Sequence, residues 1–237
     1  MAGRPDYRRT PSTNLLRQQA YRPHEGKFGI VTGGSRGIGA AVVENLAAKG
    51  CSLLLVFTSD SSAEPTKGLC EKVQSEHGIV AKSVQADLSD PSRSVPHIIA
   101  TAKNNFSHPR SGAFQIDILI NNAGIAGNKT LNDAELGPIE ESQFHQMYSV
   151  NVLAPLLLTQ AVAPYLPKDR SGRIVNVSSV SSSIGYEGQS VYAGTKAALE
   201  AMTRTWSREL AENATGMLTP GVTGLGCMKA HLLTNSG

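Results

Sequence analysis

Cysteine is scarce in this 237-residue chain: Cys51, Cys70 and Cys227 are its only three, far apart, with no C-x-x-C pair and no Cys/His ligand spacing. That excludes a disulfide-stapled scaffold and a zinc-organised fold, and no metal site is expected. Long apolar runs are missing too. Nothing approaches the ~18 apolar residues of a membrane-spanning helix, and the N-terminus has no apolar stretch of the secretory-signal kind. Nor does the body of the chain carry an excess of one charge. The formal net charge is +3, but residues 1–27 hold six basic residues (Arg4, Arg8, Arg9, Arg17, Arg22, Lys27) against two acidic ones (Asp6, Glu25), leaving 16 basic against 17 acidic in the remainder. A body so close to neutrality argues against a nucleic-acid-binding face. The expectation is a cytoplasmic protein with neither nucleic acid nor membrane as partner. Residues 1–27, basic and acid-poor, read as a disordered extension, with a mitochondrial transit peptide as the alternative.

What is present is material for one core. A hydrophobic content of 40%, 17% charged residues and 23 glycines suit a single domain of the larger kind. Short β-branched or leucine-rich runs alternate with longer helical patterns, the mark of an α/β doubly wound parallel sheet with helices on both faces. "FGIVTGG" (28–34), "CSLLLVF" (51–57), "AKSVQAD" (81–87), "IDILINNAG" (116–124) and "GRIVNVSS" (172–179) read as strands, near-continuously hydrophobic as a sheet covered on both faces requires. The first helix, over 38–49, ends at Gly50 as a C′ residue, and another stops before Gly78. Pro96 sits too deep for a helix begun at Asp90, so that helix is expected to start near Ser94 with the proline in its first turn. "SHPRSGAF" (107–114) reads as a surface insertion.

The first chemical signal is "TGGSRGIG", Thr32 to Gly39, between the first strand and the first helix. Gly33, Gly37 and Gly39 let the backbone turn tightly, approach a pyrophosphate closely and aim helix N–H groups at its charge. A glycine pattern alone is weak. Its position is what strengthens it, because the first strand–helix turn of such a sheet is where dinucleotides bind.

Here the chain resembles the short-chain dehydrogenase/reductase family over roughly residues 28–212, and is most similar to its 3-oxoacyl-[acyl-carrier-protein] reductase-like members. The resemblance is carried by "TGGSRGIG", "ADLSD" (86–90), "INNAG" (120–124), "SVNVLAP" (149–155), "GRIVNVSS" and "YAGTK" (192–196), in family order. It implies a Rossmann-like sheet in a catalytic domain over 28–212, a nicotinamide cofactor, and reduction of a small-molecule carbonyl or 3-oxoacyl substrate. It carries cofactor contacts to Gly33, Ser35, Arg36, Gly37, Ile38 and Gly39, to Thr58, to Asp87 and Leu88 beside the adenine, and to Asn122, Ala123 and Gly124. It gives Asn151 the role of the helix asparagine that holds a water linking the lysine to solvent. The helix over 191–211, with Leu199, Met202, Trp206 and Leu210 at helical spacing, reads as partly core; by resemblance it also forms the interface of a homodimer or homotetramer.

Reducing a ketone needs a hydride on carbon and a proton on oxygen, hence a general acid beside that oxygen. An ordinary tyrosine titrates near ~10, and bringing it to about 7 takes roughly 4 kcal/mol of preferential phenolate stabilisation. One ammonium about 4–5 Å away at an effective dielectric of about 20 supplies that amount. Tyr192 has Lys196 four residues on, along the same helix face, whereas Tyr186 has Ser190 there. Tyr192 is therefore the expected acid. At the end of "NVSS", Ser178 and Ser179 point to opposite faces, and the pattern does not choose between them. The resemblance does: the family's serine stands thirteen residues before the tyrosine, at Ser179. It also gives Lys196 a second task, binding the cofactor ribose. The competing readings are a cofactor-binding regulatory protein without turnover and an inactive truncated product.

NADP(H) is the expected cofactor. A 2′-phosphate requires a cation and no carboxylate nearby; Arg36 lies in the glycine turn, Phe57 stands where NAD-preferring relatives carry an acid, and Thr58 can bond the phosphate. Asp60, about twenty residues past Gly39, is the carboxylate that competes with this reading. After the tyrosine helix, relatives continue with a sixth strand ending in Pro-Gly, a substrate loop, a helix and a seventh strand. Pro220-Gly221 is present, but its approach is short and poorly hydrophobic and the sixteen residues after it are too few, so 213–237 reads as an atypical tail with the sixth and seventh strands incomplete. An exposed patch of about 500 Å² forfeits on the order of 12 kcal/mol, comparable with a domain's whole stability. The expected outcome is a marginally stable or aggregation-prone chain with weak or absent turnover. Cooperative melting at high temperature together with ordinary ketoreductase rates is the result that contradicts it.

Overall fold

Strands that bury both faces need apolar residues at successive positions, and Phe28–Thr32 (β1) and Ile118–Asn121 (β4) are buried throughout in the computed structural model, which describes residues 22–106, 113–212 and 225–230. Successive side chains take opposite sides. Ile30, Leu54, Val56 and Leu119 enter one core with Ile98 and Leu158, while Val31, Leu53, Leu55, Ile118 and Ile120 enter another with Val43 and Val73.

The chain runs from β1 through α1 (Gly37–Ala48), β2 (Ser52–Phe57), α2 (Ala63–His77), β3 (Ala81–Gln85) and α3 (Pro91–Asn105) to β4. A two-residue hairpin, β5 (Asn132–Asp133) with β6 (Gly137–Pro138), precedes α4 (Glu141–Tyr148), a π-helical turn (Ser149–Leu153) and α5 (Ala154–Val162). Then come β7 (Arg173–Ser179), the short α6 (Ser181–Ile184), the long α7 (Ser190–Glu212) and β8 (Leu225–Ala230). The six main strands are parallel in the order β3-β2-β1-β4-β7-β8. The order reverses between β1 and β4, so a crevice opens at their carboxyl ends.

Helix ends follow their residues. Gly50, at φ +91, closes the end of α1 in the left-handed region that glycine adopts without strain. Gly78, at φ +66, caps α2 in the same way. The third helix departs from the expectation: it begins at Pro91, not near Ser94, and Pro96 lies inside it. The Asp90 side chain accepts from the Arg93 N–H, Pro91 supplies a preset first turn, and Val95, Ile98, Ile99 and Ala102 are buried. Capping and burial together outweigh the one hydrogen bond that Pro96 cannot make.

The rod Glu141–Tyr165 is long and apolar enough to cross a bilayer by length and composition alone. Here its Ala154, Leu158 and Val162 are buried in the sheet's core. Residues 22–27 pack onto the domain: Arg22 donates to the His77 carbonyl at 2.8 Å and the His24 N–H to the Lys49 carbonyl at 2.9 Å. The rest of the expected extension (1–21), most of the expected insertion (107–112) and the tail at 213–224 and 231–237 lie outside the described residues.

The sixth sheet position is filled, and not by the segment before Pro220-Gly221. β8 lies after it and pairs with β7 from Ile174↔Leu225 to Ser179↔Ala230. The open ladder of β7 presents N–H and C=O groups that need partners, and a parallel neighbour satisfies them whatever its apolar density. No seventh strand joins this sheet among the described residues.

Replacing the exposed Pro96 by alanine restores a helix hydrogen bond and loses some restriction of the unfolded chain, for a net gain of about 2 kcal/mol. The measurement is the melting temperature of Pro96→Ala, expected to rise by several degrees.

Candidate active site

The crevice is assembled by one buried threonine. Thr32 ends β1; its Oγ1 accepts from the Asn122 and Ala123 N–H groups, both at 3.0 Å, and donates to the Ile120 carbonyl at 3.3 Å. Asn122 answers by donating Nδ2 to the Thr32 and Gly33 carbonyls at 3.0 and 3.1 Å. The glycine turn is thus pressed onto the end of β4. A Cβ on Gly39 would lie 2.0 Å from the Gly33 carbonyl oxygen, so this helix–strand approach admits no side chain.

The start of α1 suits an anion. Arg36 is extended and makes no side-chain cap, and no acidic residue stands in the first turn. The first N–H groups of a 12-residue helix therefore point outward beside Gly37, around which a Cβ would meet nothing within 4 Å. Ile38 is 39% exposed at the same edge, and Ser35 is partly exposed. A dinucleotide pyrophosphate fits this cradle. Thr58 lies exposed beyond β2, with its carbonyl accepting from Gln85 Nε2 at 3.2 Å. Asp60 accepts from the same amide at 2.7 Å, so its carboxylate is turned toward β3. Asp87 is exposed and accepts the Ser89 N–H at 2.9 Å, whereas Leu88 is 5% exposed within the core and offers only its backbone to an adenine.

A second cluster forms where β7 ends. Ser178 and Ser179 do diverge: Ser178 donates to Glu200 Oε1 on α7 at 2.6 Å, while Ser179 lies on the side of the Tyr192 phenol. The structure thereby brings together Ser179, Tyr192 and Lys196, at 1%, 5% and 4% exposure. Tyr186 stays outside, 43% exposed. Asn151 sits in the π-helical turn, fully buried, a kind of helix interruption often found at functional sites. Its side chain accepts the Ile125 N–H at 2.9 Å and donates to the Ile125 carbonyl at 2.8 Å and to Thr195 Oγ1 at 3.1 Å. A Cβ on Gly124 would come within 3.2 Å of Asn151 Oδ1 and 3.4 Å of Lys196 Nζ, so the "INNAG" segment lies directly against the catalytic helix.

The electrostatics differ from the expectation drawn from the Tyr192–Lys196 spacing. Burial pushes the Tyr192 phenol above its ordinary range, and the neighbouring Ser179 hydroxyl only partly opposes this. Lys196 lies 5.7 Å from the centre of the tyrosine ring and donates to the Val177 carbonyl at 2.8 Å. Desolvation of the phenolate is the largest effect there.

Four contributors escaped the sequence reading: Thr32, Thr195, Glu200 and Gln189. Thr32 and Thr195 stand inside the motifs "TGGSRGIG" and "YAGTK", which is the only local signal they carry. Glu200 also accepts from Ser182 at 2.6 Å, and Gln189 accepts from Ser181 at 2.6 Å; neither contact has a sequence signature. Beside the cluster lies a cavity of about 400 Å³, bounded by Ile125, Asn128, Gln143, Gln146, Met147 and Val191.

An open parallel sheet with a glycine cradle at its reversal and a serine, tyrosine and lysine at the next strand end defines a dinucleotide-dependent oxidoreductase. The chain belongs to the short chain dehydrogenase family, whose model matches residues 27–234. It is 62% identical over 205 residues to L-xylo-3-hexulose reductase of Hypocrea jecorina, covering 84% of this chain and 67% of that one. To L-xylulose reductase of Aspergillus niger it is 59% identical over 203 residues, covering 84% and 68%. The 3-oxoacyl-[acyl-carrier-protein] reductase FabG of Escherichia coli is 30% identical over 199 residues, 83% of this chain and 73% of that one. Among solved structures, the angucycline C-6 ketoreductase LanV with bound NADP superposes with a TM-score of 0.71 at 30% identity, covering 80% and 69%. A blue fluorescent protein from a metagenomic library, in complex with NADPH, gives 0.69 at 34% identity, covering 80% and 70%.

Thr32→Val removes the acceptor of two backbone N–H groups at the crevice. An unsatisfied buried group costs about 1–3 kcal/mol, so the variant is expected to lose on the order of 3 kcal/mol. Its urea midpoint and its NADPH affinity are expected to fall together.

Proposed function

We propose that this protein is an NADPH-dependent reductase that converts the ketone of a ketose to a secondary alcohol. The observation that carries the reading is the buried cluster of Ser179, Tyr192 and Lys196, in a chain 62% identical to L-xylo-3-hexulose reductase. The cavity accommodates that substrate class: Asn128, Lys129, Glu140, Gln143 and Gln146 can hydrogen-bond hydroxyl groups from a wall that is otherwise apolar at Ile125, Leu136, Ile139, Met147 and Val191.

The cofactor, when bound, supplies the hydride to the carbonyl carbon. Everything else falls to the chain's own groups. Tyr192 delivers a proton to the carbonyl oxygen, and Ser179, whose hydroxyl proton rests on Ser181 Oγ, turns it to the same oxygen as charge develops there. Lys196 takes the ribose hydroxyls, and Asn122, Ala123 and Gly124 border the nicotinamide half. Gly33, Ser35, Gly37, Ile38 and Gly39 cradle the pyrophosphate, while Arg36 and Thr58 receive the 2′-phosphate. Asp87 and Leu88 border the adenine. Asn151 keeps Ile125 against α7, which holds the cofactor segment and the catalytic helix as one piece. A raised phenol pKa keeps the donor protonated through neutral pH, so reduction loses rate only toward alkaline pH, as Tyr192 ionises. A homodimer or homotetramer is part of this reading.

The test is loss of NADPH absorbance with L-xylulose, a 3-ketohexose and a 3-oxoacyl thioester offered in parallel. Tyr192→Phe is expected to lower kcat by about 10²–10⁴-fold while leaving the NADPH Kd near wild type. Equal catalytic efficiency with NADH and NADPH, or greater damage from Tyr186→Phe, would overturn the assignment. NADPH binding without turnover of any of the three carbonyls would favour the regulatory reading.

A further inference from the structure

The loop before α7 and the segment after β4 are joined by side-chain hydrogen bonds that the reduction chemistry does not use. Ser179 Oγ donates to Ser181 Oγ at 3.1 Å, Ser181 Oγ donates to Gln189 Oε1 at 2.6 Å, and Gln189 Nε2 donates to Asn128 Oδ1 at 2.9 Å. The backbone runs alongside, with the Lys129 N–H on the Gly188 carbonyl at 2.8 Å and the Ser181 N–H on Ser179 Oγ at 3.2 Å. An amide gives such a run a direction, because its oxygen only accepts and its NH₂ only donates. With Asn128 accepting the NH₂, the Gln189 oxygen accepts from Ser181, and the Ser181 oxygen is left to accept from Ser179. Ser179 and Ser181 are 1% and 4% exposed, so water does not readily replace these partners. At its other end the run reaches Asn128, which lines the 400 Å³ cavity together with Gly188 and Val191, next to Tyr192.

We propose that Gln189 is a positioning residue of this reductase. Through Ser181 it sets the Ser179 hydroxyl against Tyr192, and through Asn128 it sets the cavity wall, so one amide aligns the carbonyl end and the remote end of a ketose. It touches neither the reacting atoms nor the cofactor. The inference rests on the reductase reading and adds a residue that no catalytic motif contains.

The experiment compares wild type, Gln189→Leu and Gln189→Glu on a ketose and on a short diketone with no hydroxyls beyond its carbonyl carbons. Gln189→Leu is expected to lower kcat about 10-fold or more on both substrates, raise KM for the ketose alone and leave the NADPH Kd unchanged. Gln189→Glu keeps an acceptor for Ser181, and the Asn128 amide can turn to donate to it; kcat is expected to return to within about 3-fold of wild type. A Gln189→Leu enzyme with wild-type kcat, or a Gln189→Glu enzyme as slow as Gln189→Leu, overturns the proposal. Amide exchange in ¹⁵N-labelled protein reads the same contact without turnover. The Gln189 NH₂ pair, assigned by its loss in Gln189→Leu, is expected to exchange slowly and to shift in Ser181→Ala. Fast exchange overturns the inference even in an active enzyme. Slow exchange in a protein that reduces no ketose upholds the contact and overturns the reductase reading instead.

Discussion

The site depends first on how the carboxyl ends of β1 and β4 are tied together. Two parallel strands at a sheet reversal diverge into loops with unpaired backbone groups, and buried N–H groups there are costly. Thr32 and Asn122 satisfy them reciprocally, side chain to backbone in both directions. Once that tie is made, Gly33 and Gly39 are forced into contact, α1 must start where its N–H groups face the crevice, and Ala123-Gly124 must run toward Lys196. The glycine turn and the start of α1 are thus placed by one small polar junction, not by loops closing independently.

Beneath the crevice, polar residues cross the core where apolar ones would pack more simply. Asn121 donates to Asn176 at 2.8 Å and to Thr159 at 3.3 Å, and Asn176 donates to Thr203 at 2.8 Å. The run links β4, β7, α5 and α7, and every member is buried. Such amides tolerate only one register, because a shift by one residue would strand them without partners. The register they enforce is the one that sets Ser179 opposite Tyr192.

Burial has a chemical consequence at Tyr192. A phenol sealed in a low-dielectric pocket resists ionisation, and the structure keeps Lys196 on the Val177 carbonyl, 5.7 Å from the ring centre. A loaded proton donor is what the reductive direction requires. The family spacing of tyrosine and lysine therefore describes who stands beside whom, while the protonation state follows from desolvation.

Much of this was legible along the chain. The five runs become strands within a few residues of the expected boundaries; in β1, β2 and β4 burial on both faces demands continuous apolar sequence, while the edge strand β3 leaves Lys82 and Gln85 exposed. Gly50 and Gly78 end their helices because the left-handed conformation is cheap only for glycine, and Tyr192 and Lys196 share a helix face because four residues make about one turn. Local covalent geometry suffices for each of these. Tertiary structure decided the remainder: the partner of Ser178, which is Glu200 on α7; the admission of Pro96 into α3, which needed a buried face to offset it; the strand after Pro220-Gly221, recruited by the open edge of β7; and the raised phenol of Tyr192. In each, the deciding free energy comes from groups distant in sequence, and desolvation and pairing between them exist only once the chain has folded.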